Sequence, residues 1–449
     1  MGALFGTDGI RGVVNRDYGA VLAFRVGVAA AVALSEQKAR PLFTIGKDTR
    51  ISSDLLEAAL IAGLCSAGAD VIRLGVIPTP AVAYLTVENK ADAGIVISAS
   101  HNPYEHNGIK IFNGSGFKLS DELEERIERI VLAQELLPVR TGSEIGRVIE
   151  GEEAQKARYI GHLLSCVDTE AIEGLRVAVD CANGAASATA AALFDALPIH
   201  ADIFFNHPDG ININDNCGST HLEQLRMTVV EGRYDLGLAF DGDADRCLAV
   251  DETGEEMDGD HIMAACALRL KEEGRLADST VVATVMSNMG FHAFAREQGI
   301  QLLCANVGDR NVLEMMQERG CVLGGEQSGH LIFLEHATTG DGQLAALQLL
   351  ETLCRSGKKA SQLNGLVARY PQALLNVPVA DKAAKEAVMA SPVLKEAAAR
   401  AERELKGKGR VLVRPSGTEA LIRVMVEAPE KEEAEAWAKK IADAVAEIQ

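Results

Sequence analysis

No two of the nine cysteines form a CxxC pair; they are scattered from Cys65 to Cys354, and their number is odd. Neither a disulfide framework nor a thiolate zinc site is suggested, and a reducing cytosol fits such a set best. Long apolar runs are missing too. The longest early one, Val26 to Leu34, follows Arg25 and falls far short of the ~20 residues that a bilayer helix needs. The opening Met-Gly-Ala-Leu-Phe-Gly has no basic n-region, and Gly6 stands where a myristoylation signal has Ser or Thr. The expectation is a soluble, cytoplasmic chain with no export signal or lipid anchor. Positive charge is in deficit: 44 Lys and Arg face 64 Asp and Glu, a formal charge of −20. A surface of that sign repels nucleic acid and anionic membranes, so neither is expected as a partner, and an anionic ligand needs a local basic site.

What is present is an ordinary globular composition, 47% hydrophobic and 24% charged. At roughly 150 residues per domain, 449 residues suggest three domains, or four if one is small. Up to about Arg369 one phrase recurs: an apolar run, a polar or Gly-containing loop, then an Ala/Leu-rich helical stretch. Leu42–Ile45 leads to Gly46-Lys-Asp-Thr-Arg50 and an amphipathic stretch from Asp54. Arg176–Val179 leads to Asp180-Cys-Ala-Asn-Gly184, and Thr280–Val285 to Met286-Ser-Asn-Met-Gly290, each followed by another such stretch. Three similar mixed α/β domains are expected, bounded near Gly151–Lys156, at the turn Asp251-Glu-Thr-Gly254 and around Tyr370-Pro371. The segments are thus 1–153, 154–253, 254–370 and 371–449. The last reads as a small α+β domain. It is expected to open with two helices, Lys382–Met389 and Val393–Leu405, separated by Ser391-Pro392. Strands Arg410–Val413 and Ala420–Glu427 and a closing helix near Pro429 follow.

Five stretches can carry chemistry. Gly94-Ile-Val-Ile-Ser-Ala-Ser-His-Asn-Pro103 is an apolar strand breaking into a loop with Ser98, Ser100 and His101; a turn with backbone-bonded serines is the plain alternative. In Asp241-Gly-Asp-Ala-Asp-Arg246, alternate side chains of an extended backbone share a face, so Asp241, Asp243 and Asp245 can converge. Convergence without a cation is repulsive, and oxygen ligands suit Mg²⁺ or Ca²⁺, with Mg²⁺ favoured because the short loop leaves room for a phosphate oxygen. An EF-hand fits at positions 1, 3 and 5 of its loop, but Arg246 replaces its required Gly. Gly324-Gly-Glu-Gln-Ser-Gly-His330 offers Glu326, Ser328 and His330 on a glycine-bounded loop suited to sugar hydroxyls. From Ala401 to Arg423 six basic residues face three glutamates. Within it Arg414, Ser416, the Gly417 amide, Thr418 and Arg423 are the types that grip phosphate. Phe5-Gly-Thr-Asp-Gly-Ile-Arg-Gly12 places Arg11 among glycines.

Taken together and in this order, the five stretches resemble the α-D-phosphohexomutase superfamily, from Phe5 to Arg423. Its serine loop, DGDxDR metal loop, GExSGH sugar loop and RPSGTE phosphate loop all have counterparts here, with Ser98 where many relatives have Thr. The resemblance implies four domains around a central cleft. It implies that Ser100 carries a phosphoryl group, with one Mg²⁺ between it and Asp241, Asp243 and Asp245. Arg11, His101, Lys110, Arg246 and His330 match positions around the transferring group. Glu326 and Ser328 match those holding sugar hydroxyls, and Arg414, Ser416, Gly417, Thr418 and Arg423 those clamping the non-reacting phosphate. Gln327 is similar to members acting on glucosamine phosphates, where other branches often have Met. The implied reaction is reversible conversion of glucosamine 6-phosphate to glucosamine 1-phosphate through glucosamine 1,6-bisphosphate, with glucose 1,6-bisphosphate as an alternative activator. That step supplies amino-sugar nucleotide and cell-wall precursors; glucose or mannose phosphates are the alternative substrates. The partner implied is a phosphosugar, and relatives are commonly homodimers through the first domain.

Overall fold

The computed structural model describes residues 4–6, 8–35, 38, 40–133, 138–416 and 420–448. The first sheet holds β1 (Ile10–Val13), β2 (Leu42–Lys47), β3 (Asp70–Val76), β4 (Ala93–Ile97), β5 (His106–Asn113) and β6 (Val148–Ile149), in the order β1-β5-β4-β2-β3-β6. The second holds β7 (Arg176–Asp180), β8 (His200–Phe204), β9 (Leu236–Phe240), β10 (Cys247–Asp251) and β11 (Glu256–Met257), in the order β11-β10-β9-β7-β8. The third holds β12 (Thr280–Thr284), β13 (Gln301–Ala305), β14 (Leu323–Gly325) and β15 (Leu331–Phe333), in the order β13-β12-β14-β15.

One plan underlies all three. Successive strands stand second, first, third, fourth, as β3-β2-β4-β5, β8-β7-β9-β10 and β13-β12-β14-β15. The third strand is parallel to the first, and the fourth turns back antiparallel. The serine loop, the acidic loop and the Glu326–His330 loop are each the connection between the third and fourth strands of their sheet. Chemistry therefore gathers where a parallel strand ends and its hairpin partner begins, as the crevice rule for α/β sheets requires. The third strands β4 and β9 are buried along their whole length, which explains their unbroken apolar runs.

Some local expectations shift. The helix expected from Asp54 begins at Ile51, because Asp48 accepts the Arg50 N–H and the Ser53 hydroxyl and closes the turn early. The Ala-rich stretch after Gly184 yields only a 3-10 turn and the short helix Ala190–Asp195. Asp251 to Gly254 is a hairpin turn joining β10 to β11, so the second sheet runs on to Met257.

The C-terminal sheet, β16 (Gln372–Pro378), β17 (Arg410–Pro415) and β18 (Leu421–Glu427), is antiparallel in the order β16-β18-β17. Opening this domain on helices is corrected: β16 comes first, paired along its length with β18. Its mostly exposed side chains gave no alternation to read. Helices Lys382–Ala390, Pro392–Leu405 and Lys431–Ile448 complete the domain. Ile422, Val424 and Val426 point inward from alternate positions of β18 onto Ala434, Ala438, Ile441 and Val445. By packing, the chain forms two compact units: 1–284 with 303–366, and 285–302 with 367–449. All nine cysteines are free thiols. No helix among the described residues is long and apolar enough to cross a membrane.

Candidate active site

Ser100 stands just beyond β4 with φ +53°, a left-handed conformation that a serine adopts only when its surroundings impose it. They do so through the backbone. The buried Arg50 guanidinium, paired with Asp48, donates to the carbonyls of Ser100 (3.0 Å) and Asn102 (2.6 Å). Asn214 donates to the same two carbonyls at 3.0 and 3.2 Å. The Ser98 hydroxyl accepts the Ser100 N–H at 2.9 Å. Thus fixed, the Ser100 hydroxyl donates to Asp241 Oδ2 at 2.5 Å.

The acidic loop converges, though not on an extended backbone. Residues 241–246 form a turn in which Ala244 has φ +55°. One carboxylate oxygen from each of Asp241, Asp243 and Asp245 lies within 4.8 Å of the others. Gly242 is required: a Cβ there would sit 2.5 Å from the Ser100 carbonyl oxygen. Burial, Asp245 and Asp243 raise the Asp241 pKa well above the carboxylate range. Burial pushes Asp245 the same way, but Lys110 and His330 outweigh it and hold that group low. Asp243 Oδ1 and Asp245 Oδ1 are buried without a hydrogen-bond partner, a costly state for two acceptors. The donor set fits a hard metal ion. Strands β9 and β10 flank the loop where an EF-hand has helices.

Cationic groups surround the acids. Lys110, from β5, donates to Asp243 at 2.8 Å and lies 3.3 Å from Asp8 and 3.7 Å from Asp245. Burial works against its charge, but these carboxylates prevail and raise its pKa, so it stays an ammonium. Thr79 adds a 2.7 Å hydroxyl bond to Asp243. Arg246 Nη1 is 3.2 Å from His101 Nδ1, itself 3.4 Å from the Ser100 hydroxyl. Burial, Arg246 and Arg11 bring the His101 pKa down to about 4, leaving a neutral ring at neutral pH. The Nε–H groups of Arg11 and Arg246 are buried and make no hydrogen bond. Orphaned acceptors and orphaned donors thus occur in one site, the pattern that a cation and an anion together would satisfy.

His330 Nδ1 lies 3.6 Å from Asp245, and Nε2 accepts the Gly340 N–H at 3.1 Å. Burial opposes its charge, whereas Asp245, Asp309 and Glu326 outweigh burial and raise its pKa. The amide aimed at Nε2 acts the other way, keeping a lone pair there and the proton on Nδ1; this direct contact decides for the neutral ring. A Cβ at Gly340 would meet Nε2 at 2.5 Å, so any other residue there would displace the His330 ring. Glu326 accepts the Gly308 N–H at 3.0 Å, with the exposed Ser328 hydroxyl 3.5 Å from it. Gln327 is turned back, its amide donating to Asp258 at 3.1 Å.

In the C-terminal unit, Arg414 of β17 and Arg423 of β18 are direct cross-strand partners. Like charges so placed repel, and burial together with Arg423 lowers the Arg414 pKa; an anion relieves both. Ser416 is buried, and its carbonyl accepts from Lys385 at 2.7 Å. Gly417 and Thr418 lie outside the described residues. Sequence reasoning missed Asp8, Asp48, Arg50, Thr79, Asn214 and Asp309. Asp8, Asp48 and Arg50 lie inside stretches that the sequence had already drawn attention to.

The four family models for phosphoglucomutase/phosphomannomutase match in order. Domains I, II and III, each alpha/beta/alpha, cover residues 2–137, 157–254 and 258–370, and the C-terminal domain covers 374–444. A phosphoglucosamine mutase of Acetivibrio thermocellus is 52% identical over 100% of this chain and 99% of its own. The chain belongs to the phosphoglucomutase/phosphomannomutase family. Another relative in it, phosphoglucosamine mutase of Pelotomaculum thermopropionicum, is 55% identical over 95% of each chain. Among solved structures, a phosphoglucomutase/phosphomannomutase family protein from Burkholderia thailandensis shares the fold at 23% identity (TM-score 0.79), covering 98% of this chain and 97% of that one. So does Aspergillus fumigatus N-acetylphosphoglucosamine mutase in complex with GlcNAc-6P and magnesium, at 18% identity (TM-score 0.73), covering 99% and 96%. The family architecture is the one described above: three mixed α/β domains and a C-terminal α+β domain.

Proposed function

We propose that this protein is an isomerase that interconverts glucosamine 6-phosphate and glucosamine 1-phosphate, with Ser100 as the phosphoryl carrier. The observation that carries the reading is the Ser100 hydroxyl donating to Asp241 inside a buried acidic triad, ringed by Lys110, Arg11 and Arg246. Full-length relatives named phosphoglucosamine mutase support the choice of sugar.

In the first half-reaction the bond between phosphorus and Ser100 Oγ breaks as a sugar hydroxyl oxygen bonds to phosphorus. The product is a 1,6-bisphosphate. That hydroxyl's proton goes to a base, for which His330 is the candidate through its Nε2 lone pair, which must exchange the Gly340 N–H for the sugar hydroxyl; Lys110 stays charged, and an arginine cannot accept it. After the bisphosphate turns over, the Ser100 oxygen bonds to the other phosphorus as the bond from that phosphorus to the sugar oxygen breaks; the base returns its proton to the freed sugar oxygen, and nothing is hydrolysed overall. Charge on the equatorial oxygens in the loose transition state is met by fixed cations, Lys110, Arg11 and Arg246. Mg²⁺ held by Asp241, Asp243, Asp245 and the Ser100 phosphate would neutralise further charge there. Glu326 and Ser328 would orient sugar hydroxyls. The Arg414 and Arg423 pair, with Ser416, Gly417 and Thr418, would clamp the phosphate that does not react.

An isomerisation assay with glucosamine, glucose and mannose 6-phosphates, catalytic 1,6-bisphosphate and Mg²⁺ tests this directly. The expected result is the highest kcat/KM on glucosamine 6-phosphate, weaker turnover of the others, and no stoichiometric release of phosphate. Preference for mannose or glucose phosphate would reassign the sugar; phosphate release without isomer would make the protein a hydrolase. Metal binding has its own readout. Mg²⁺ at a hundredfold excess over Kd should stabilise the fold by about 2.7 kcal/mol, seen as a higher Tm than in EDTA. The Asp243→Asn variant should lose that response.

A further inference from the structure

Lys118 lies outside every motif and bonds two carboxylates, Asp8 and Asp309. Following the contacts outward in both directions closes a ring. Asp8 Oδ2 is 3.3 Å from Lys110 Nζ, which is 3.7 Å from Asp245 Oδ2. On the other side Asp309 Oδ2 is 3.7 Å from His330 Nε2, and His330 Nδ1 is 3.6 Å from Asp245 Oδ2. Carboxylates and nitrogen groups alternate all the way round. Asp8 precedes β1, Lys118 pairs with Phe112 at the end of β5, and Asp309 opens the helix Asp309–Arg319 after β13. The ring therefore ties the sheet carrying Lys110 to the loop between β14 and β15 that carries His330.

We propose that Lys118, through Asp8 and Asp309, is a positioning residue that sets Lys110 and His330 relative to each other for phosphoryl transfer. The proposal rests on the mutase reading above. Lys110 has carboxylates on several sides, so its Nζ stays on Asp243 only while Asp8 is held back; Arg11 holds Asp8 by Oδ2 and Lys118 holds it by Oδ1. Asp309 in turn approaches His330 only as closely as its bond to Lys118 allows. Consistent with this, Asp8 and Asp309 sit below the carboxylate range and Lys118 above its ordinary value, despite burial acting the other way on all three. A cavity of about 720 Å³ borders the ring at Lys118, Asp309 and His330, so water can reach the carboxylates if Lys118 is replaced.

A neighbouring contact supplies the control. The Arg310 side chain bonds Asp121 and the Leu119 carbonyl, joining the same two segments; only its backbone N–H, which a methionine keeps, reaches the ring, at Asp309 (2.9 Å). In steady-state assays of the full chain, on whichever hexose phosphate the unaltered protein isomerises, Lys118→Met should lower kcat about 10- to 100-fold. KM should stay within about threefold, and Lys118→Arg should restore most of the loss, because a retained cation keeps both bonds. Arg310→Met should lower Tm yet leave kcat within about threefold, as loss of a half-exposed ion pair does. If Lys118→Met does not fold, the isosteric Asp309→Asn carries the same expectation. Unchanged kcat in Lys118→Met, or an equal fall in Arg310→Met, overturns the proposal; the latter makes the effect one of packing alone. If the unaltered protein isomerises nothing, the mutase reading fails instead. The ring is then judged from a crystal structure of Lys118→Met, where an unmoved Lys110 Nζ and His330 ring would refute it.

Discussion

Ser100→Ala is expected to lower kcat for hexosamine phosphate isomerisation by at least about 10⁴-fold, since removing a nucleophile leaves only residual binding and electrostatics. The protein should remain folded. The hydroxyl makes a single strong bond, to Asp241, and losing one such bond costs about 1 kcal/mol. Alanine also meets no new strain beyond what serine already bears at φ +53°. Arg50 and Asn214 grip the carbonyl of residue 100 and not its side chain, so the loop should keep its shape. Intact mass provides a second check: the purified parent protein should carry one added phosphoryl group and the variant none. Turnover by the variant within tenfold of the parent would end the serine relay.

Lys110→Met should be the most destabilising single change in the site. Lys110 is 3% exposed and faces Asp243, at 1%, with Asp8 and Asp245 close by. Removing one partner of a buried ion pair costs about 3–5 kcal/mol, because the other charge is left unpaired. The loss should appear as a lower denaturant midpoint in EDTA, and Mg²⁺ should restore part of it by supplying positive charge to the same acids. Activity should fall by about 10²- to 10³-fold with Mg²⁺ present, the usual effect of removing one fixed charge from a transition state. A midpoint equal to that of the parent would show that Lys110 does not offset the charge of these buried acids.

Legibility in the sequence follows distance along the chain. The acids of the metal loop are two residues apart, and the Ser-His-Asn-Pro, GExSGH and RPSGT stretches are equally compact. A strand-end loop presents near neighbours together whatever the rest of the fold does, so each cluster was readable. Partners across the fold were not. Ser100 and Asp241 are 141 positions apart, Lys110 and Asp243 133, and Lys118 and Asp309 191. No local pattern marks Lys118 or Asp309, and nothing within the Phe5–Gly12 stretch sets Asp8 apart; the meaning of all three comes from the opposite charges they meet. Arg50 and Asn214 were hidden for a related reason: they act on backbone carbonyls, and a backbone carbonyl has no signature in sequence.

Periodicity and loop composition alone determined the alternation of strands and helices, the change of character in the last domain, and which loops hold the serine, the acids, the polar Glu326–His330 set and the arginines. These are local properties, set by burial patterns and turn chemistry within a few residues. Tertiary structure decided the shared strand order that places three of those loops at equivalent hairpins. It also aimed the serine at Asp241, set the lone pair on His330 Nε2, and brought Arg414 opposite Arg423. Each of these depends on packing that brings remote segments within a few ångströms, where a charge or an unpaired donor has a definite partner.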